Sequence, residues 1–347
     1  MSEIPRGAIR FNTDSNKPEL WDGSQWTELQ ISNVGLGTGG DTGPGARGLT
    51  GGGGTPGGGY TSSIEYFNIA STGNSQFFGD LSTSGAIQFG VCCSSSTRGV
   101  WAGGRAPSPT GTVNTIQYVT ISSTGNATSF GILNDKREYH TSCSNSTRGI
   151  FAGGNVGTAP TQPSTNNIQY ITIPSTGNSV TFGQLTRTQE GGGGTASPTR
   201  GIFFGGYSPS ASNIIDFITI STLGDAQDFG DLTDTGIGVY ACANSTRAVI
   251  AKGYKSPANI NNIDYVTIAT TGNAVDFGDR TTIARYGGAC SSSTRGVFSG
   301  GYAAPTATYS NVIDYITILT QGNAVDFGDL TTARGTTGSC SNAHGGL

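Results

Sequence analysis

Hydrophobic and polar residues alternate in a short segment that recurs six times along the chain. Its last copy, residues 312–318, reads VIDYITI. A period of two predicts a half-buried β-strand. No window of the chain shows the period of an α-helix, so the pattern predicts an all-β protein.

Two residue pairs mark every copy of the repeat. An Ile-x-aromatic pair comes first and a Phe-Gly pair follows it, at spacings of about 50 residues. The first pairs are Ile64/Tyr66, Ile116/Tyr118, Ile168/Tyr170, Ile215/Phe217, Ile263/Tyr265 and Ile313/Tyr315. The second are Phe78-Gly79, Phe130-Gly131, Phe182-Gly183, Phe229-Gly230, Phe277-Gly278 and Phe327-Gly328. Between them lies Gly-Asn or Gly-Asp, which predicts a tight hairpin with positive φ.

Each copy is predicted to contain four short strands. In the last copy these are GGACSSS, GVF, VIDYITI and NAVDFGDL. Four strands in about 50 residues, six times over, are typical of a β-propeller. Residues 55–60 align with residues 297–302, and the chain stops within a unit. We therefore expect residues 55–347 to form a six-bladed propeller closed by the C-terminal strand.

The order of these strands resembles the kelch repeat. A strand ending in Gly-Gly is followed by a long loop, an Ile-x-Tyr strand and the segment ARYGGA. The Gly-Gly pairs are Gly103-Gly104, Gly153-Gly154, Gly205-Gly206 and Gly300-Gly301, with Lys252-Gly253 as a departure. The Phe of each Phe-Gly pair stands where kelch repeats have Trp. The resemblance implies a kelch-like propeller fold and no particular function.

Residues 1–33 differ from the repeats. Three short strands are predicted, with turns at residues 13–17 and 22–24 and with Phe11, Trp21 and Trp26 as apolar anchors. The pattern IRFNTDSNKPELWDGSQW resembles a module common in tail-fibre and other virion proteins of tailed bacteriophages. A sheet this small buries too little apolar surface to be stable alone. We expect it to form a homotrimer or to bind another virion protein, with docking on the propeller as the alternative.

Residues 34–54 are rich in glycine and are predicted to link the two parts. Glycines fall at every third position from Gly45 to Gly57, as in collagen, but the period is broken before Gly45. A flexible linker is therefore favoured over a collagen-like segment.

The composition argues against several classes of protein. The chain has 347 residues and 57 glycines, its charged residues make up 12%, and its net charge is −4. Nucleic-acid binding requires clustered Lys and Arg, and no such cluster is present. No apolar run is long enough to span a membrane, and the N-terminus lacks the apolar core of a secretory signal.

Residues that recur at one position of the repeat are predicted to serve the fold. The Cys position has Cys93, Cys143, Cys242, Cys290 and Cys340, with Thr195 in the remaining copy. These are expected to form a layer of small buried side chains, with Cys92 facing the other way. The Thr-Arg-Gly position has Arg98, Arg148, Arg200, Arg247 and Arg295. We expect each Arg to bond a carbonyl or a neighbouring Asp. Asp80, Asp231, Asp279 and Asp329 recur likewise and are assigned to turns or blade contacts.

No catalytic, metal or cofactor site is predicted. His140 and His344 lie at different phases of the repeat and have no ligand pattern around them. A catalytic residue should occur in one copy alone, because a propeller has one active site and six blades.

The loop after each Gly-Gly pair varies most and is rich in Ser, Thr, Pro, Asn and Tyr. We predict binding through Tyr60, Arg105, Tyr207, Tyr254 and Tyr302. Tyrosine among small polar residues suits adaptable recognition and stacking on sugars. The alternative is that these loops are merely solvated and the tyrosines pack beneath their own turns.

Together these patterns predict a non-enzymatic bacteriophage virion protein, a fibre or surface appendage made in the host cytoplasm. Its propeller would recognise a host-surface glycan or protein, and residues 1–33 would bind other virion proteins. One alternative is a capsid decoration or connector protein. Another is a glycan-active enzyme on a propeller scaffold, which would need two carboxylates close together on the propeller axis. An intracellular kelch-type adaptor would leave the N-terminal module unexplained.

Overall fold

The chain forms two compact units, Met1–Thr38 and Gly39–Leu347, in a computed structural model. The structure describes residues 5, 7–12, 17–21, 23–28, 46–81, 85–158, 160–207, 209–303 and 308–347. The fold is all-β, as predicted. A single 3₁₀ turn at Pro56–Gly58 is the one helical element in these ranges. None of the described segments is a helix long and apolar enough to cross a membrane.

The N-terminal unit contains the three predicted strands, Ile9–Asn12, Lys17–Trp21 and Trp26–Glu28, paired antiparallel in chain order. Trp21 and Trp26 lie opposite each other with ring centres 5.4 Å apart. The Arg10 guanidinium lies 4.3 Å from the centre of the Trp26 ring. Phe11 pairs through its backbone with Pro18, and its side chain is outside the described part of the chain.

The second unit, here called the repeat unit, contains six four-stranded antiparallel sheets. We name them I to VI, with strands a, b, c and d in order across each sheet. Sheet I has Gly338–Ser341, Arg47–Gly51, Ser63–Asn68 and Gln76–Asp80. Sheet II has Val91–Ser94, Arg98–Ala102, Thr115–Thr120 and Thr128–Ile132. Sheet III has Thr141–Ser144, Arg148–Ala152, Asn167–Thr172 and Val180–Gln184.

The remaining sheets follow the same order. Sheet IV has Gly193–Ala196, Arg200–Phe204, Ser212–Thr219 and Gln227–Gly236. Sheet V has Tyr240–Ala243, Arg247–Ala251, Asn262–Thr267 and Val275–Asp279. Sheet VI has Gly288–Ser291, Arg295–Ser299, Val312–Thr317 and Val325–Asp329. The four strands predicted for each copy are therefore confirmed.

Short two- or three-stranded ribbons extend the sheets beyond the Gly-Gly pairs. Their strands are Gly54–Thr55, Gly59–Tyr60, Arg105–Ala106, Gly111–Thr112, Arg137–Glu138, Asn155–Val156, Tyr254–Lys255, Ala258–Asn259, Ala284–Arg285, Tyr302–Ala303 and Thr308–Tyr309. We call this end of the sheets the Gly-Gly face.

The boundary predicted at residues 54 and 55 is wrong. Arg47–Gly51 is strand b of sheet I, and it pairs with Gly338–Ser341 on one side and with Ser63–Asn68 on the other. Arg47 therefore corresponds to Arg295, and Gly52-Gly53 corresponds to Gly300-Gly301. The collagen-like spacing is also contradicted from residue 47 onward, because those glycines lie in and next to a paired strand.

Hydrophobic cores lie between consecutive sheets. Leu49, Ile64 and Phe78 of sheet I pack with Trp101 and Val119 of sheet II, and the same arrangement recurs between each later pair of sheets. A sixth cluster joins sheet VI to sheet I. Strand a of each sheet likewise lies against strand a of the next, and that of sheet VI lies against that of sheet I.

The Phe-Gly and Gly-Asn motifs meet where two sheets touch. The Asn126 side chain of sheet II accepts a hydrogen bond from the Asp80 backbone of sheet I, at 3.0 Å. A Cβ on Gly79 would overlap the carbonyl oxygen of Gly125. The Gly-Asn segment is therefore an inter-sheet contact in a longer loop, and the tight hairpin predicted there is wrong.

The Thr-Arg-Gly arginines bond carbonyls of the next sheet, as one of the two expectations had it. Six arginines take part, because Arg47 occupies the same position in sheet I and was not among the five arginines recognised from the sequence. The donor and acceptor pairs are Arg47 to Ile121, Arg98 to Ile173, Arg148 to Ile220, Arg200 to Ile268, Arg247 to Ile318 and Arg295 to Ile69, at 2.7–3.0 Å.

The polar residue inside each Ile-x-aromatic pair is buried, so strand c is covered on both faces rather than half-buried. These residues are Glu65, Gln117, Gln169, Asp216, Asp264 and Asp314. Asp216 accepts hydrogen bonds from Thr186, and Asp264 accepts them from Thr233 of the preceding sheet. Lys252, which departs from Gly-Gly, is buried with its Nζ 3.0 Å from Asp264.

The cysteine layer is confirmed. All six cysteines are free and buried. The five that recur lie next to the Gly of the following sheet's Arg-Gly pair, where an added Cβ would be 2.6–3.1 Å from sulfur. In the sixth copy Thr195 replaces Cys and Ala248 replaces Gly. Burial raises the pKa of the Cys242 thiol to about 12, so the thiol is neutral at physiological pH.

Candidate functional site

Six residues on the Gly-Gly face are joined by a cycle of backbone hydrogen bonds, which we call the backbone ring. They are Phe89, Tyr139, Gly191, Gly238, Tyr286 and Thr336. Each N–H donates to the carbonyl of the preceding member at 2.6–3.2 Å, and Phe89 donates to Thr336. All six have φ between 55° and 68°. This left-handed conformation is uncommon for large side chains and marks candidate functional positions.

Three members of the backbone ring form an aromatic cluster, Phe89, Tyr139 and Tyr286. The Phe89 and Tyr139 rings stack with centres 3.9 Å apart. Tyr286 meets both edge-on, at 6.1 and 5.9 Å. Since Phe89, Tyr139 and Tyr286 belong to sheets II, III and VI, side chains from distant parts of the sequence converge here.

Gly191 and Gly238 leave room for the Tyr286 side chain. A Cβ on Gly191 would lie 3.3 Å from the Tyr286 ring and hydroxyl, and one on Gly238 would lie 3.1 Å from the ring. The backbone ring therefore combines three aromatic residues with two glycines, and the Tyr286 side chain lies over these glycines.

A cavity of about 120 Å³ lies between the aromatic cluster and the first residues of the a strands. Its lining includes Ser142, Thr337 and Ser339 together with several glycines. His140 is the one histidine of the described lining. It is buried, and neither ring nitrogen has a hydrogen-bond partner among the residues that the structure describes. Burial, with the nearby Arg137 charge, lowers the pKa of His140 well below its usual value.

A second, smaller space of about 50 Å³ lies further along the a strands and is lined in part by His344. The Nε2–H of His344 donates to the Ser94 carbonyl at 3.0 Å, and Nδ1 accepts from the Gly346 backbone at 3.1 Å. Burial lowers the pKa of His344 to about 4. The two histidines therefore lie in separate places. Among the described residues, no group of His, Cys, Asp and Glu could hold a metal ion.

The predicted binding residues Arg105, Tyr207, Tyr254 and Tyr302 lie beside the backbone ring. Each pairs with the residue that precedes a ring member; Tyr302, for example, pairs with Arg285. Tyr207 is 41% exposed, and Tyr254 and Tyr302 are partly exposed. The structure thus places these four residues on one face.

Tyr60 does not share their position in the repeat. It pairs with Gly54 in a short ribbon, as Tyr309 pairs with Tyr302. The equivalent of Tyr302 in sheet I is therefore Gly54, and Tyr60 corresponds to Tyr309. The predicted alignment of Tyr60 with Tyr302 is therefore wrong, because the glycines that crowd residues 51–59 allow a shifted match.

The charged residues of the Gly-Gly face lie in two separate groups. Arg105 forms an ion pair with Glu138, which is itself buried. Glu190 lies on the next sheet, and burial raises its pKa. Across the face, Arg285 lies among the rings of Tyr254, Tyr286 and Tyr302.

The sequence prediction missed the aromatic cluster. The signal was present, because every member of the backbone ring lies four positions before the Cys or Thr of the cysteine layer. Aligning the copies on that position gives Phe, Tyr, Gly, Gly, Tyr and Thr. What the sequence could not show was that these six positions meet.

No protein-family model matches the chain, and no curated protein resembles it significantly. Evidence for the function of this chain therefore comes from its fold and from the Gly-Gly face.

Proposed function

We propose that the chain is a structural protein of a bacteriophage virion, a fibre or surface appendage that recognises the host surface and is not an enzyme. The observation that carries this proposal is a contrast within the repeat. Positions that join the sheets hold the same residue types in nearly every copy, whereas positions on the Gly-Gly face differ from copy to copy.

The repeat unit is proposed to be a closed six-bladed, kelch-like propeller. The cyclic contacts of the a strands and the cycle of bonds in the backbone ring support this arrangement. So does the repetition of one interface, because the Arg295 bond to the Ile69 carbonyl of sheet I matches the Arg98 bond to Ile173. Closure would protect the sheets from pairing with other chains and would hold the Gly-Gly face rigid.

The residues of this face favour recognition. A side chain that serves the fold is needed equally in every copy, whereas a ligand touches each copy differently. Partly exposed tyrosines supply rigid contact area, and neighbouring hydroxyls and amides supply adaptable hydrogen bonds.

The N-terminal unit is proposed to attach the chain to other virion proteins and to hold it as a trimer. Ile9 is 67% exposed, and Trp21 and Trp26 are partly exposed. Such a surface suits burial in a subunit contact. Light scattering should give a trimer mass for the full chain and a monomer mass for Trp21→Ala/Trp26→Ala; equal masses would remove the idea.

Binding to bacterial cells tests the proposed function. The labelled full-length protein should bind a suitable host saturably. The Tyr254→Ala/Tyr302→Ala variant should bind at least about tenfold more weakly, since both anchors are lost. Leu319→Ser is the control, because Leu319 is exposed in the loop after strand c, at the other end of the sheet. Absence of cell binding, with the chain still joining virus particles, would make it a decoration or connector protein.

A further inference from the structure

Arg285 interrupts the repeat at a position on the Gly-Gly face. The residue directly before each ring member is Gln88, Glu138, Glu190, Ile237, Arg285 or Gly335. Arg285 is the one basic residue in this set. A residue that occurs in a single copy is not required by the shared fold, so its role belongs to one place on this face.

Three tyrosines surround the Arg285 guanidinium. Its central carbon lies 5.1 Å from the ring centre of Tyr254, 5.5 Å from Tyr302 and 5.6 Å from Tyr286. A cation at these distances is attracted by the faces of the rings. Tyr254 and Tyr302 come from sheets V and VI, so the arginine lies where two sheets meet.

Two glycines of sheet V accommodate the arginine stem. A Cβ on Gly238 would lie 3.0 Å from the Arg285 Cβ, and one on Gly253 would lie 3.1 Å from it. Arg285 is partly exposed between these glycines and the tyrosines. The arginine is thus held in a defined place rather than extended freely into solvent.

The charge of Arg285 is left unpaired by the described part of the chain. No acidic residue that the structure describes forms an ion pair with it, whereas Arg105 on the same face is paired with Glu138. Its buried Nε has no acceptor among the described residues, and an unsatisfied donor of this kind lowers stability.

We propose that Arg285, flanked by Tyr254 and Tyr302, binds a carboxylate-bearing sugar of an acidic polysaccharide. This deepens the proposed function and rests on it. The guanidinium donates charge-assisted hydrogen bonds to the sugar carboxylate, an acceptor whose geometry matches it. A partly exposed tyrosine ring receives the apolar face of the sugar. Neutral sugars lack the group that would pair with the arginine.

Glycan binding by the full-length protein tests this proposal. The probes are an immobilised panel of uronic-acid and sialic-acid oligosaccharides and the same saccharides with their carboxyl groups reduced to alcohols. The protein should bind at least one acidic member and lose binding when its carboxyl group is reduced. Arg285→Gln should weaken binding at least about tenfold, because hydrogen bonds to a charged group are lost.

Lys136→Gln is the matched control, since it removes one positive charge from an exposed residue near the same face. It should leave binding unchanged, and thermal unfolding should show that both variants are folded. Binding to neutral saccharides alone, or equal binding by Arg285→Gln, would overturn the inference and leave the proposed function standing. Binding to cells but to no acidic saccharide of the panel would also overturn the inference and leave the proposed function standing. Failure to bind cells as well as saccharides would overturn both.

Discussion

At the scale of single residues, the glycine of each Phe-Gly pair is required by the neighbouring backbone. The turn of the next sheet lies directly over it, and its carbonyl leaves no space for a side chain. The glycine within that turn is different. At Gly177 an added Cβ would meet no described atom within 4 Å, and the φ of Gly177 lies outside the left-handed region. One contact therefore contains a glycine that cannot be replaced and one that can.

Gly131→Ala should lower the free energy of unfolding by about 2 to 3 kcal/mol, because its Cβ would overlap the Gly177 carbonyl and force the sheets apart. Gly177→Ala, on the opposite side of the same contact, should change stability by less than about 0.5 kcal/mol. Urea unfolding of both variants measures the difference. Equal effects would show that close approach does not explain the motif.

At the scale of the strands, the cysteine layer couples strand a of one sheet to strand b of the next. A sulfur fills the space left by a glycine, and the one copy without Cys has Ala in place of that glycine. The pair Thr195 and Ala248 therefore indicates that the two positions are fitted to each other. Five of the six interfaces pack a Cys against a Gly, and the sixth packs a Thr against an Ala.

A double-mutant cycle can measure this fit. Gly201→Ala alone should cost about 1 to 3 kcal/mol, because the new methyl would lie 2.7 Å from the Cys143 sulfur. Adding Cys143→Thr should recover at least about 0.5 kcal/mol of that loss. Combining Gly201→Ala with Cys340→Thr is the control, since Cys340 packs against Gly99. The stability losses caused by Gly201→Ala and Cys340→Thr should be additive. If the effects of Gly201→Ala and Cys143→Thr were additive as well, positions 143 and 201 would not be fitted to each other.

At the scale of the whole molecule, the repeat unit holds both histidines neutral. In the unfolded chain a histidine has a pKa near 6.5, whereas burial lowers that of His344 to about 4. Between these values the unfolded state binds the proton and the folded state does not. The contribution to stability is therefore complete above about pH 6.5 and is lost as the pH falls toward 4.

Stability should accordingly fall between pH 6.5 and pH 4, by at most about 1.4 kcal/mol per pH unit for each histidine. His344→Gln should reduce this slope, leaving the part due to His140, whose pKa shifts in the same direction. Urea unfolding at several pH values tests the prediction. An unchanged slope would mean that His344 does not sense pH in the folded protein.

The repeat made much of the fold predictable. The period, the four strands of each copy, the all-β class and the Cys and Arg positions could all be inferred by comparing copies. The start of the repeat unit could not be inferred from glycines, although Arg47-Gly48 followed by Leu49 carried the signal. The burial of Glu65 was also hidden, because alternation along one strand does not reveal a second layer packed on its polar face.

The candidate site was predictable in part. The composition of the loops pointed to Tyr207, Tyr254 and Tyr302, and the structure brings them onto one face. It also brings there the aromatic cluster and Arg285, which loop composition did not indicate. Their proximity depends on the cycle of contacts among the sheets, and that is a property of the assembled chain rather than of any one copy.

Sheet I joins parts of the chain that are made at very different times. The Asn342 side chain accepts a hydrogen bond from the Arg47 backbone, 295 positions away. At typical rates of synthesis, strand b of sheet I waits roughly 15 to 60 s for its partner Gly338–Ser341. Throughout that interval it presents an unpaired edge to the same segment of neighbouring nascent chains. A lower expression level, which reduces the number of nascent chains present together, should therefore raise the yield of correctly paired protein.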